Sequence, residues 1–271
     1  LKKNFIFFDF FAYSLKYLDL SDLKHFNLAN KKDLLKRSEC LKKNFTKEQL
    51  LERKIQFISM YEKKNKRVLI LGPKIRNTNI ENKLIKSGYK VEIYNKVVNL
   101  KFLEKKKFDF IISSGYPFRI NSQIIQKFNR RIINLHATFL PWGKGIGTTF
   151  FSYLLQQPTG ISIHYIDTKF DTGDIICRLR INEKSNDTTR TFYKKLLQKL
   201  ERLFIDNCDK ILERRIKTVK QKTFKLQTRY YSRSHFEKIV RLLPEGYDTK
   251  LSELHIHGIL IKKNIQLINF L

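Results

Sequence analysis

Three segments hold residue types that could act together on an acyl group. The first is Ile133-Asn134-Leu135-His136-Ala137-Thr138-Phe139-Leu140-Pro141-Trp142-Gly143-Lys144-Gly145. The second is Thr159-Gly160-Ile161-Ser162-Ile163-His164-Tyr165, and the third is Phe170-Asp171-Thr172-Gly173-Asp174-Ile175-Ile176. On a strand, alternation places Asn134 and His136 on one face. An amide and an imidazole side by side can both donate to one oxygen, which is what the tetrahedral intermediate of acyl transfer requires. A carboxylate from a later loop, Asp171, could fix the imidazole's tautomer and raise its basicity, or accept a proton itself. Gly173 would let the loop turn sharply beside Asp171. Spacing alone leaves the ordinary alternative open. An Asn-x-His at a strand end is more often structural, and Asp171–Asp174 could be a plain turn.

The elements around these segments must place them at one end of a sheet. From residue 67 the pattern alternates. Val68–Leu71, Val91–Tyr94, Phe108–Ser113 and Arg131–Leu135 read as strands. Asn79–Ser87, Leu100–Lys107 and Ser122–Phe128 read as the helices between them, the first stopped by Gly88. Short apolar strands alternating with helices predict an α/β, Rossmann-like, mostly parallel sheet with helices on both faces. Ligands of such sheets bind beyond the strand carboxyl ends, which brings Ser113–Tyr116 and Asn134–His136 to one crevice. Thr148–Leu155 reads as a helix, and Ile161–Ile166 and Ile175–Ile181 as strands. Asn186–Arg215 reads as one or two amphipathic helices with Asp187 as N-cap. A turn is expected at Leu243-Pro244-Glu245-Gly246.

Four parts are expected: a helical or poorly ordered extension at 1–59, a catalytic core at 60–181, a helical part with a small C-terminal appendage at 182–254, and an unplaced tail at 255–271. The only Met is Met60, just before the first strand, so translation is expected to start there.

The 271 residues include 55 Lys+Arg against 25 Asp+Glu, a formal charge of +30. Such a charge raises nucleic acid as a partner. Yet Lys outnumbers Arg 39 to 16 and the positives are spread along the chain, so AT-rich coding explains most of the excess. No run of eighteen apolar residues occurs, and no membrane span is expected. Cys40, Cys177 and Cys208 form no CxxC and no zinc pattern, so free thiols in a reducing, cytoplasmic setting are expected, with no metal.

The motifs resemble the formyltransferases that use N10-formyltetrahydrofolate. That family's pattern is Asn-x-His, then Leu-Pro, then Gly, then Asp-x-Gly about 35 residues past the His. Asn134, His136, Leu140-Pro141, Gly145 and Asp171-x-Gly173 fall in that order, with 35 residues from His136 to Asp171. The resemblance covers roughly 66–181 and reaches more weakly to Glu253. It implies N10-formyltetrahydrofolate as cofactor and an amine that attacks the formyl carbon. Asn134 and His136 would stabilise the oxyanion, and Asp171 would support His136 and aid proton removal. Ser114-Gly115-Tyr116 resembles the loop lining the formyl end. Ile166, Asp167, Thr168, Lys169 and Phe170 match the segment that wraps the pteridine.

The acceptor is less sharply specified. Leu-Pro-Trp, Thr-Gly-Ile-Ser-Ile-His-Tyr and Asp-Thr-Gly-Asp-Ile-Ile are most similar to sugar-nucleotide N-formyltransferases, whose acceptor is an amino group on a nucleotide-linked deoxysugar. The segment from Glu245 to Leu254 resembles how some of these end. Trp142, Lys144 and His164 are candidate acceptor contacts, although packing accounts for Trp142 and His164 as readily, and Lys144 is one of many lysines. Ile146-Gly147-Thr148-Thr149 departs from relatives that carry Pro there, which leaves acceptor identity open. The high charge favours methionyl-tRNA formyltransferase instead, but that family carries a C-terminal β-barrel, and 182–271 has few alternating strand runs. Glycinamide ribonucleotide formyltransferases share the core, but Gly72-Pro73-Lys74 opens no Gly-rich phosphate loop. An inactive module with this fold is the remaining alternative. By resemblance, a homodimer through the C-terminal part is expected.

Overall fold

The computed structural model describes residues 46, 48, 49, 66–224, 230–241, 243 and 245–254. The expected extension at 1–59, the start at Met60, Cys40 and the tail at 255–271 lie outside the described residues, apart from the three isolated positions.

The chain from Arg67 to Arg180 builds one six-stranded sheet. Its strands are β1 (Arg67–Leu71), β2 (Lys90–Tyr94), β3 (Phe110–Ser113), β4 (Ile132–His136), β6 (Gly160–Tyr165) and β7 (Ile175–Arg180), in the order β2-β1-β3-β4-β6-β7. The first four pair in parallel. β6 runs antiparallel to both β4 and β7, so it alone opposes the common direction. The sheet is mostly parallel, as the alternating pattern predicts.

β1 is apolar at four consecutive positions because both faces of the sheet are covered. Val68 and Ile70 point into one cluster with Ile112, Ile133 and Leu135 of neighbouring strands. Ile80 and Leu84 of α1 (Lys74–Lys86) and Phe192, Leu196, Leu200 and Phe204 of α5 (Thr189–Leu212) close that side. Leu69, Leu71, Ile111 and Ile132 point the other way, onto Leu103 of α2 (Leu100–Lys106) and Ile124 of α3 (Ser122–Lys127). Strand alternation thus feeds two cores from one sheet.

Two helix boundaries differ from the pattern. α1 begins at Lys74 rather than Asn79. Pro73 has φ −68°, which suits a helix start, and Asn77 donates from Nδ2 to the Pro73 carbonyl at 2.9 Å and to the Ser114 carbonyl at 3.2 Å. α5 is one helix of 24 residues, and its N-cap is Thr188, not Asp187. Thr188 and Thr191 form a reciprocal capping box, while Asp187 accepts from the Lys184 amide one turn earlier.

After α5 the described chain forms a 3-10 turn (Gln221–Phe224), the two-residue strand β8 (Tyr230–Tyr231), helix α6 (Arg233–Val240) and a further 3-10 turn (Gly246–Asp248). β8 pairs in parallel with β5 (Lys144–Gly145). Among the described residues of 182–254, β8 is the only strand. α6 packs back on the core through Phe236, whose ring lies against Phe150 of α4 (Thr148–Leu154), centroids 6.0 Å apart. Gly147, at φ 67°, makes room for it, since a Cβ there would stand 2.1 Å from the Phe236 ring.

Phe204 is fully buried between α5 and the sheet. Phe204→Ala should cost about 3–5 kcal/mol. Ile75, 93% exposed on α1, should tolerate Ala within about 0.5 kcal/mol. Thermal and denaturant unfolding of the two variants would check this; equal losses would show that α5 does not seal the core.

Candidate functional site

Asn134 and His136 stand at the carboxyl end of β4 on the face shared with Ile132. The antiparallel partner β6 sets His164 directly opposite Asn134 and Ser162 opposite His136. A register shift between Ile163 and His164 interrupts the β6–β7 ladder at this level. The loop joining β6 to β7 then returns Asp171 over the same spot.

Asp171 sits at φ 52°, in the left-handed region. It is therefore Asp171 itself that makes the sharp turn. Gly173 is needed for another reason than the expected flexibility: a Cβ there would stand 1.9 Å from the Tyr165 carbonyl. The result is a compact polar cluster. Oδ2 of Asp171 accepts from the Gly145 amide at 2.9 Å and lies 3.7 Å from His136 Nε2. Oδ1 accepts from Asn134 Nδ2 at 3.4 Å and lies 3.6 Å from His164 Nε2.

The tautomers follow from the acceptors. His164 Nδ1 is 2.8 Å from the Tyr165 carbonyl, which can only accept, so Nδ1 carries the proton. Its Nε2 lies 3.3 Å from Asn134 Nδ2. The Asn134 amide is thereby oriented with its NH2 toward His164 and Asp171. His136 Nε2 lies 3.1 Å from the Gly143 carbonyl and therefore donates to it, beside Thr138 Oγ1 at 3.0 Å.

Burial pushes the His136 pKa below its ordinary value, with Asp171 pulling the other way, so the ring is neutral at pH 7. Burial also opposes ionisation of Asp171. The neighbouring imidazoles and the Gly145 amide outweigh it, and the carboxyl is held well below the usual carboxylate range. The site at neutral pH is a carboxylate beside the neutral His136 ring. Lys144 also has a lowered pKa, from burial first, with Asp171 and Asp167 opposing.

Asn134, His136 and Asp171 open into a cavity of about 860 Å3. Gly115 and Tyr116 line it, as do Ile166, Asp167, Thr168, Lys169 and Phe170. Ser114 does not; it is buried, and its neighbour Ser113 takes the lining position. Trp142, Lys144 and His164 are also absent from the wall. Trp142 stacks on Phe139 with centroids 5.8 Å apart, and His164 lies behind Asn134 at 1% exposure.

The wall has a second set of residues that sequence reasoning missed. Arg76 from α1, Arg119, Arg190 from α5 and Arg233 from α6 bring four guanidinium groups to it. Tyr193, Tyr230, Phe236 and Tyr247 add aromatic surface. Arg119 lies over the Phe170 ring at 5.1 Å, and Phe170 stacks on Tyr230 at 5.1 Å. No local motif marks these positions. The one available signal was Arg76, on the first helix after β1, where open α/β sheets hold ligands. Among the described residues no helix is long and apolar enough to cross a membrane.

Comparison with known proteins agrees with this geometry. The sequence matches the family model described as Formyl transferase over residues 39–207. A solved structure of the formyltransferase PseJ from Anoxybacillus kamchatkensis, in complex with UDP-4,6-dideoxy-4-formamido-L-AltNAc and tetrahydrofolate, is similar with TM-score 0.65 and 34% identity. That match covers 69% of this chain and 97% of the other. The chloroplastic phosphoribosylglycinamide formyltransferase of Arabidopsis thaliana is 31% identical over 121 residues. A methionyl-tRNA formyltransferase of Bacillus cytotoxicus is 25% identical over 132 residues. The chain spans about two fifths of the length of these curated relatives, 41% and 42%. With more than half of its length matched by the family model, the chain belongs to the formyl transferase family.

Proposed function

We propose that this protein transfers a formyl group from N10-formyltetrahydrofolate to the amino group of a nucleotide-linked deoxysugar. The observation that carries the reading is the Asn134–His136–Asp171 cluster in a cavity whose wall also holds four arginines.

The cavity suits both reactants. Ile120, Ile125, Ile166 and Phe170 give an apolar wall that fits a flat heteroaromatic ring, next to backbone polar groups of the 166–170 loop. The arginines suit anionic groups, which a glutamate tail and a diphosphate both carry. When bound, the folate supplies an activated formyl carbonyl. His136 holds a proton on Nε2, shared at rest with the Gly143 carbonyl, and can turn it toward an oxygen gaining charge. Asn134 adds its amide beside it. Asp171 keeps a carboxylate within reach of that ring and of an incoming amine, where it can take up the proton the amine loses. The water-poor setting strengthens each of these interactions.

The choice of acceptor has separate support. PseJ, crystallised with a nucleotide-linked formamido sugar, matches along nearly its whole length. The described part of 182–254 is a long helix with a small appendage and no barrel. Arg190 and Arg233, with Tyr193 and Tyr247, line the cavity from this C-terminal part, as a diphosphate and a base would need. The cytoplasm is proposed as the site of action and a homodimer as the assembly.

His136→Ala and Asn134→Ala should each lower kcat by about 10²–10³-fold while leaving Tm within a few degrees. Normal turnover in both would remove them from the chemistry. Asp171 raises the His136 pKa, so Asp171→Asn should move the His136 titration midpoint further below its ordinary value, read by NMR of labelled histidine. An upward shift would contradict the assigned charges. Incubation with N10-formyltetrahydrofolate should formylate a nucleoside-diphosphate amino sugar, with activity changing little between about 50 and 200 mM salt. Formylation of charged initiator tRNA alone, collapsing over that salt range, would overturn the acceptor assignment.

A further inference from the structure

The loop that carries Asp171 is held from behind by a segment that makes no part of the cavity wall. Ile175, just past the loop, and Val219 exchange both backbone hydrogen bonds, at 2.8 and 2.9 Å. Arg130 donates to the Asp174 carboxylate at 2.8 Å and to Thr218 Oγ1 at 3.0 Å. This brings the strand-like segment before the 3-10 turn alongside the loop, and the first residue of the turn is Gln221.

Gln221 is buried, and its Nε2 donates to two carbonyls of the loop, that of Asp171 at 2.9 Å and that of Gly173 at 2.8 Å. Both partners can only accept, so the NH2 end of the amide must face them. These two carbonyls flank the turn at which Asp171 takes its left-handed φ of 52°. A residue with a side chain is disfavoured in that region relative to ordinary backbone regions. Such a conformation persists where its surroundings over-determine it. From this backbone setting the Asp171 side chain meets His136, Asn134 and the Gly145 amide.

We propose that Gln221 is a positioning residue for Asp171: its amide fixes the loop backbone in the conformation that holds the carboxylate beside His136. The proposal rests on the reading of Asp171 as part of the working site. Gln221 is not on the cavity wall, so it acts through Asp171 and not on a ligand. Sequence position gives no hint of it, since 50 residues separate it from Asp171.

The test uses the full chain with Gln221→Met, which keeps the length and removes the donor. Gln221→Glu, the same shape with the amide donor replaced by a carboxyl, is the second variant should the first not fold. The groups facing the His136 ring are Asp171, His164 and Arg76, and of these Gln221 holds only Asp171. Loss of its hold should lower the His136 titration midpoint, in the same direction as Asp171→Asn and by less. It should lower kcat about tenfold to a hundredfold, as a misplacement of about 1 Å does. KM for the acceptor should change less than about threefold, since Gln221 touches no ligand. A folded variant with lowered Tm but an unmoved His136 midpoint and normal kcat overturns the proposal, because Gln221 then braces the fold alone. Failure of both variants to fold overturns it equally. The NMR midpoint needs no substrate. A shifted midpoint in a protein that formylates no acceptor therefore upholds the positioning role while sinking the proposed reaction.

Discussion

One carboxylate organises the site. Asp171 is 13% exposed and ionised, and a charge so placed is costly unless neighbours compensate it. The compensation comes from different parts of the chain. The Gly145 amide comes from the glycine-rich turn after β4, the Asn134 amide from β4 itself, and the two imidazoles from β4 and β6. Each partner is useful only if its element arrives at the right height. The parallel β3–β4 and antiparallel β4–β6 registers set that height, pairing Ser113 with Asn134 and Asn134 with His164. The three-layer core beneath is what keeps these strands from sliding, because a slip of one residue would turn Asn134 and His136 to the other face.

The same carboxylate lies beside both histidines at the centre. His164 uses one ring nitrogen on the Tyr165 carbonyl and the other faces Asn134, so it serves as a buried spacer beside the amide. His136 is the partly accessible ring. Burial alone would make it a poor base, and the carboxylate at 3.7 Å restores part of that basicity. The two histidines are chemically alike but differ in what their nitrogens face, and on the proposed reading that difference divides orientation from proton handling.

Much of this was legible in the sequence. β1 to β4, β6 and β7 follow from short apolar runs, and alternation alone puts Asn134 and His136 on one face. The Asp171 loop was legible only through the motif resemblance, since nothing local says that a loop 35 residues on returns to the same point. The helix starts at Lys74 and Thr189 were misplaced because Pro73 and the Thr188–Thr191 pair decide them, and both signals are short-range capping events hidden in polar sequence. Apart from Arg76, placed on the first helix after β1, the arginines of the wall and Gln221 were not legible at all. Each belongs to an element whose pairing with the loop is tertiary, so no periodicity or spacing encodes it.

The charge gains a different meaning from this distribution. A chain with 39 lysines and 16 arginines would be expected to present mostly lysine wherever it faces solvent. The cavity wall instead carries four arginines and one lysine, Lys169. Composition driven by codon usage does not sort residue types by location. A site that binds planar anionic groups does, because guanidinium offers a fixed fork of donors and stacks on rings, as Arg119 does over Phe170. The general excess of lysine therefore says little about partners, and the local excess of arginine says a good deal. Of the four arginines, Arg76, Arg119 and Arg190 lie within the span 39–207 that the family model matches, and Arg233 of α6 lies beyond it. On the proposed reading, Arg233 thus adds to the acceptor surface from a later stretch of chain than Asn134, His136 and Asp171, which allows that stretch to change while the cluster is kept.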